Sequence, residues 1–198
     1  GQVCISPTRF LIEESIHDQF LKAFKKHVEA VNIGNGLDAG VNMGPLVADR
    51  RLDIMEGFVS NAVSEGAELI VGGERVQSSG SFYQPTLLAN VPDSAQIMTE
   101  EPFGPIAPTA TFASLDEVID RSNSLPFGLA AYAFTGSPKT AGALKTEIES
   151  GMLAINSLHI HSVETPFGGL KNSGYGYEGG IEGLEAFLAT KYSSEVYT

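Results

Sequence analysis

The chain has 198 residues, with 12 Lys and Arg against 24 Asp and Glu and a formal net charge of −12, so no basic stripe can offset phosphate and a nucleic-acid partner is excluded. At 42% hydrophobic and 18% charged residues the composition is that of a globular protein and not of a disordered one. A single cysteine, Cys4, rules out an internal disulfide and any cysteine-rich metal site, and it is compatible with a reducing, cytoplasmic setting. The longest apolar runs, such as GLAAYAF (128–134), are far too short to span a bilayer, so no membrane partner is expected. No charged segment followed by an apolar one reads as a signal peptide. The absence of an initiator Met, beside a reactive-looking motif at position 4, predicts a piece of a longer chain.

Taken in order, TRFLI (8–12) reads as a strand. From Ser15 to Val31, apolar Ile16, Phe20, Ala23, Phe24, Val28 and Val31 recur at helical spacing and leave Lys22, Lys25 and Lys26 to face water. The glycines of GNGLDAG (34–40) break that helix. A second helix fits 48–65, with a stripe of Leu52, Met55, Val59, Ala62 and Val63, and Gly66 ends it before a strand in ELIVGG (68–73). Residues 76–92 read as a turn and a short strand, and IAPTATF (106–112) as another strand.

Ser114 and Glu117 form an S-x-x-E capping box in front of LDEVIDRSN. GLAAYAFT (128–135) has the apolar run of a buried strand. Pro138 sits at the first position of a helix that Gly151 stops near Ser150, and MLAIN (152–156) is a further strand. A glycine-interrupted helix over 179–192 and a terminal strand in SSEVYT complete the expectation. Strands alternating with helices imply crossovers, hence an α/β fold with a mainly parallel sheet between two layers of helices, a three-layer α-β-α arrangement. No internal repeat or low-complexity linker is visible, and one α/β domain is the economical reading.

In such a sheet, function gathers in loops at the carboxyl ends of strands. Three glycine-rich loops qualify: TEEPFGPI (99–106), LPFGLA (125–130) and ETPFGGLKNSGYGYEGG (164–180). None is a G-x-G-x-x-G following a strand or a phosphate-binding G-x-x-x-x-G-K-[ST] loop, so on the residues alone structural glycines are the commoner explanation.

The ordered set of GQVC, NMGPLV, EEPFGPI, NSLPFGLAAYAFT, GMLAIN and PFGGLKNSGYGYE resembles the NAD(P)-dependent aldehyde dehydrogenase superfamily across essentially the whole chain. The resemblance implies a catalytic domain over 1–175 and a C-terminal helix and oligomerisation tail over 176–198. The coenzyme-binding domain that the family keeps upstream is absent from this sequence. The implied activity is oxidation of an aldehyde to a carboxylic acid with NAD or NADP, and the succinate-semialdehyde-oxidising members are the nearest in motif. Cys4 matches the family nucleophile. A thiolate adds to the carbonyl to give a thiohemiacetal, hydride leaves to the nicotinamide, and water hydrolyses the resulting thioester. The resemblance assigns one oxyanion donor to the Cys4 backbone N–H and a second to an Asn of the preceding domain. Without that context, a lone cysteine is more often a small buried hydrophobe.

By the same resemblance Glu101 would bind the nicotinamide ribose and Phe103 would pack near the nicotinamide ring. Asn156 would help organise the site, although a turn-forming Asn after a strand is a rival reading. The loop SLHIHSVETPF (157–167) would line the substrate tunnel, with Phe167 as a wall and Ser162 holding a distal carboxylate. His159 and His161 would lend cationic character there, and Val3 and Ile5 would flank the nucleophile. Two His at i, i+2 without further ligands do not make a metal site. Tyr177 departs from the family, standing where many members have Arg. The general-base Glu, the oxyanion Asn and a Lys near the adenosine ribose would all lie upstream. The tail strand implies a homodimer or homotetramer. Two alternatives stay open: a broad-specificity or 2-oxoglutarate-semialdehyde enzyme, and a non-catalytic α/β module with a structural cysteine.

Overall fold

In the computed structural model, which describes residues 1–76 and 80–198, the chain divides into two units, Gly1–Val118 and Ile119–Thr198. In the first, strand β1 (Phe10–Glu13) leads through a 3-10 turn into helix α1 (His17–Glu29). The Phe20–Phe24 and Phe10–Phe24 ring pairs, at 5.4 and 5.2 Å, show that the predicted stripe packs the helix onto its own strand. Helix α2 (Arg50–Ser64) buries Leu52, Met55, Phe58, Val59 and Ala62, while Val63, expected in the stripe, is exposed. Strands β2 (Glu68–Val71) and β3 (Thr86–Ala89) follow, then a single helical turn α3 (Gln96–Thr99), strand β4 (Ile106–Phe112) and helix α4 (Leu115–Asn123). Part of the turn expected after Val76 lies outside the described residues.

The sheet order is β1-β4-β3-β2, with β1–β4 and β3–β4 parallel and β2–β3 antiparallel. Central β3 is buried at every position, as a strand covered on both faces must be. Two hydroxyls lie within this core, and both are satisfied: Thr109 donates to the Leu88 carbonyl at 2.9 Å, and Thr86 donates to Gln84 O and accepts from Gly73 N–H at 2.8 Å each. The capping box forms with an offset. Glu117 N–H donates to Ser114 Oγ at 3.2 Å, and the Glu117 carboxylate reaches back to the N–H of Ala113 at 2.9 Å.

In the second unit, β5 (Phe127–Gly128) is followed by β6 (Ala130–Ala133), helix α5 (Pro138–Glu147), β7 (Met152–Ile155), β8 (Leu170–Lys171) and a single turn α6 (Glu182–Glu185). β6 and β7 pair in parallel, and β5 and β8 pair antiparallel. The glycines of the FGGLK stretch and its surroundings allow backbones to touch: a Cβ on Gly151 would overlap Gly168 O, and one on Gly128 would overlap Glu149 O. Lys171 fastens this region by donating from Nζ to Asn123 O at 2.8 Å and Leu125 O at 3.1 Å, and by pairing with Glu149 at 2.5 Å.

The α/β class and the mainly parallel pairing are as expected. Several details differ. β6 is half-buried instead of buried, and α5 stops at Glu147, short of Ser150. The helix expected over 179–192 is reduced to α6, and no strand forms in SSEVYT. Gly179 and Gly180 adopt positive φ, and Ile181, Leu184, Phe187 and Leu188 are all exposed. A short helix without a packed face has too little to offset its nucleation, and an edge strand without a partner does not form. Among the described residues no helix is long and apolar enough to cross a membrane.

Candidate active site

The first unit joins the stretch that carries Cys4 to the loop that carries Glu101 and Phe103. Gly1 approaches the backbone of Gly104 so closely that a Cβ on it would overlap the Gly104 carbonyl oxygen. Gln2 anchors the next step, its Oε1 accepting from Val47 N–H at 3.1 Å. The first two residues of GQVC therefore act as fasteners, one by lacking a side chain and one by supplying an acceptor. Beyond them the chain turns, with Ser6 N–H donating to Val3 O at 2.9 Å, and Cys4 is exposed within that turn. Val3 beside it is 54% exposed, and Ile5 is partly covered. The thiol is therefore accessible, with apolar Val3 and Ile5 on either side of it.

The loop between α3 and β4 is held from several sides. Pro102 is fully buried, and Phe103 takes φ +42, a left-handed conformation uncommon for a residue with a side chain. A Cβ on Gly104 would overlap Met55 Sδ, so only glycine fits against α2. Thr86 N–H donates to Pro105 O at 2.8 Å, which seats the loop on β3. On its outer side an open depression of about 360 Å³ is lined by Arg51, Phe58, Gln96, Glu100 and Glu101. Partial desolvation there raises the Glu101 carboxyl above its ordinary value. A second cavity of about 200 Å³ lies beside Gly1, Gln2, Leu46 and Tyr83. The Tyr83 hydroxyl there is buried with no partner among the described residues, and burial pushes its pKa up to about 12.

The second unit assembles the remaining expected residues. Asn156, at φ +55, bonds Thr135 twice, accepting from its N–H at 2.8 Å and donating to its carbonyl at 2.9 Å. Its amide thus joins the ends of β6 and β7. His161 stands edge-on to Phe167, with ring centroids 5.8 Å apart. Ser162 N–H donates to Thr165 Oγ1 at 2.9 Å, and the Ser162 side chain holds the exposed Glu164 carboxyl below its ordinary value. His159 is exposed, with its N–H on Ser157 Oγ at 2.9 Å. Phe167 exchanges two backbone bonds with Glu178, at 2.7 and 2.8 Å, and Tyr177 packs against Gly168, where a Cβ would overlap the ring. Among the described residues no group of three or more His, Cys, Asp or Glu side chains converges on one point.

Sequence reasoning missed Arg51, whose Nη2 donates to the carbonyls of Pro102 and Phe103. A signal was present: Arg50 and Arg51 open α2, where a cation opposes the helix dipole and calls for a compensating acceptor.

The acceptors around the depression suit the hydroxyls of a ribose. Arg51 lines the depression as well, with Nη2 on the carbonyls of Pro102 and Phe103. The first unit is thus an α/β scaffold that presents an accessible thiol on a turn seated against this loop. The aldehyde dehydrogenase family model matches residues 1–193, and the chain belongs to that family. It is 43% identical over 192 residues to 4-(hydroxymethyl)benzenesulfonate dehydrogenase of Comamonas testosteroni, covering 97% of this chain and 40% of that protein. It is 39% identical over 193 residues to the mitochondrial succinate-semialdehyde dehydrogenase of Rattus norvegicus, covering 97% of this chain and 37% of the relative. The betaine aldehyde dehydrogenase of Staphylococcus aureus, crystallised with NAD+, superposes with a TM-score of 0.91 at 35% identity, over 96% of this chain and 39% of that one. The chain therefore spans about 40% of the length of these relatives.

Proposed function

We propose that this chain is the thiol-bearing part of an enzyme that oxidises an aldehyde carrying a distal anion, such as a semialdehyde, to the carboxylic acid. The observation that carries the reading is the seating of the Cys4 turn against the Glu101–Phe103 loop through Gly1 and Gly104. The Cys4 thiolate attacks the aldehyde carbonyl carbon, and the oxygen takes a proton to give a thiohemiacetal. Loss of hydride from that carbon and of the hydroxyl proton to solvent leaves a thioester on Cys4, and water cleaves it to the acid and regenerates the thiol. NAD or NADP, when bound, supplies the hydride acceptor. Glu101 and Phe103 would hold its nicotinamide ribose and ring, with the rest of the coenzyme bound by an upstream domain.

Val3 and Ile5 would flank the thiol and offer apolar contacts to the substrate. Phe167, with His161 across its edge, forms an apolar wall, and Ser162, His159 and His161 offer donors to an anion at the far end of the substrate. Asn156 fixes the start of that loop. The names of the relatives support this reading, since succinate semialdehyde and 4-(hydroxymethyl)benzenesulfonate each carry an anion away from the reacting carbon. Residues 176–198 would serve as an oligomerisation tail of a homodimer or homotetramer, the remainder forming the catalytic domain. Support comes from Tyr192, Val196 and Tyr197, each more than 80% exposed and so free to be covered. A catalytic free thiol suits a reducing compartment, and we assign the cytoplasm.

The test is Cys4→Ser in the whole enzyme, with NADH formation followed on succinate semialdehyde. Turnover should fall by about 10³-fold or more, as loss of a catalytic nucleophile does. Intact mass spectrometry should detect an acyl adduct on the wild-type chain alone. Activity retained within tenfold would overturn the proposal.

A further inference from the structure

Between the end of α3 and the start of β4 the backbone must carry Glu101 and Phe103 outward, and the sheet fastens only the far end of that stretch. Pro105 O accepts from Thr86 N–H, and Gly104 O accepts from Ile106 N–H at 3.0 Å. On the near side, Glu100 N–H closes the helical turn on Gln96 O at 2.9 Å. Residues 101–103 lie between these two anchors. Pro102 has no N–H to give, and Phe103 is held at φ +42 against its own steric preference.

The carbonyls of Pro102 and Phe103 both turn toward α2, where Arg51 Nη2 donates to each, at 3.3 Å for Phe103. Fixing two successive carbonyls fixes the two peptide planes on either side of Phe103. That in turn sets its left-handed φ and the direction in which its ring leaves the backbone. We infer that Arg51 is a positioning residue, whose guanidinium on the Pro102 and Phe103 carbonyls holds Glu101 and Phe103 in the conformation that receives the nicotinamide ribose. The inference rests on the proposed role of that loop and adds the residue that shapes it.

Two further observations agree. Arg51 lies in the first turn of α2, an unfavourable place for a cation unless acceptors meet it there. It also lines the same depression as Glu101, and partial burial accounts for the rise of the Glu101 carboxyl. The bonds of Arg51 to the Pro102 and Phe103 carbonyls give it a route to Glu101 through the backbone. A lysine at this position would keep the cation but reach the two carbonyls less completely.

The experiment compares Arg51→Met, Arg51→Lys, Glu101→Ala and the Arg51→Met/Glu101→Ala double variant in the whole enzyme. NADH dissociation constants are measured by fluorescence titration. The rate of Cys4 alkylation by iodoacetamide is measured without coenzyme. Arg51→Met should weaken NADH binding about tenfold, the scale of a lost charge-assisted hydrogen bond, and Arg51→Lys should recover part of that loss. The KM for coenzyme should rise while the KM for aldehyde and the coenzyme-free alkylation rate stay within about twofold, because Gln2 fastens the Cys4 turn to Val47, and Gly104, on which Gly1 rests, keeps its own bond from Ile106 N–H. If Arg51 acts through the loop, the double variant should bind no more weakly than about twofold below Glu101→Ala, a non-additive result.

Unchanged NADH binding in both Arg51 variants overturns the inference, as does an alkylation rate that changes as much as the binding. Should Arg51→Met fail to fold, the Arg51→Lys variant decides by the same readouts. Glu101→Ala separates the two layers: if it leaves NADH binding unaltered, the proposed role of the loop fails. If it weakens binding while the Arg51 variants do not, only the positioning inference fails.

Discussion

The loop at 99–106 and the loop at 157–167 carry expected site residues of the same chain, yet they are built in opposite ways. The first is clamped: Pro102 is buried, Gly104 is pressed on Met55, and Arg51 binds two of its carbonyls. The second is held mainly to itself and to residues just beyond it. It has Ser162 and Thr165 bonded to each other, Phe167 laddered to Glu178, and Leu158 and Val163 exposed at 66% and 84%. The contrast also shows in two carboxyls: partial burial raises Glu101, while the Ser162 side chain lowers Glu164. A coenzyme common to many substrates calls for a fixed wall. A substrate-facing loop that is open and locally bonded can change side chains with little effect on the fold.

The largest expected effect lies in the clamped loop. Gly104→Ala should lower the unfolding free energy by about 2 kcal/mol, read from urea denaturation, because the new methyl group meets Met55 Sδ inside a packed core. Val163→Ala in the open loop should stay within about 0.5 kcal/mol of wild type. Equal losses at the two sites would break the contrast.

Next comes the border of the open loop. Asn156→Ala loses both bonds to Thr135 and keeps a positive φ unsuited to alanine, an expected loss of about 1.5 kcal/mol. Asn156→Gly should lose less, since it relieves the backbone. An Asn156→Gly variant less stable than Asn156→Ala would show that the backbone conformation carries none of the effect.

The smallest effect is in the pH dependence of the unfolding midpoint, and the two carboxyls should give opposite signs. Glu101, raised in the folded state, contributes stability that is present below 4.5, its unfolded value, and declines as pH rises through the folded pKa. Glu101→Gln should remove that decline. Glu164, lowered in the folded state, contributes stability above 4.5 that is lost as pH falls through its folded pKa. Because this group is fully exposed, Glu164→Gln should change the acid limb only slightly. Parallel profiles for the two variants would contradict the assignment of a dry loop and a wet one.

Much of this was legible in advance, for identifiable reasons. Period-3.6 patterning located α2 to within a few residues because its apolar face meets a sheet that is also apolar, so local and tertiary preferences agree. IAPTATF became β4 at its expected bounds, Ser114 capped its helix, and Pro138 opened the next one as expected. The same periodicity over 179–192 misled. Glycines at 179, 180 and 183 weaken the helix, and its apolar residues find nothing to cover them. Of the site, the motifs marked Cys4, Glu101, Phe103 and the 157–167 loop. They were silent on Arg51, and silent on why a glycine and a glutamine precede the cysteine.

Residue order alone therefore determined the α/β class, most strand and helix positions, the place of the single thiol and the family to which the chain belongs. These depend on local propensity, periodicity and motif spacing, all of which are written along the chain. Only the tertiary structure decided that Gly1 meets Gly104, that Gln2 holds Val47, and that Arg51 meets the carbonyls of Pro102 and Phe103. Each is a contact between residues roughly 45 or more positions apart that ends on a backbone atom every residue type carries, and so the sequence does not mark its partner, even where, as at Arg51, it hints that one is needed.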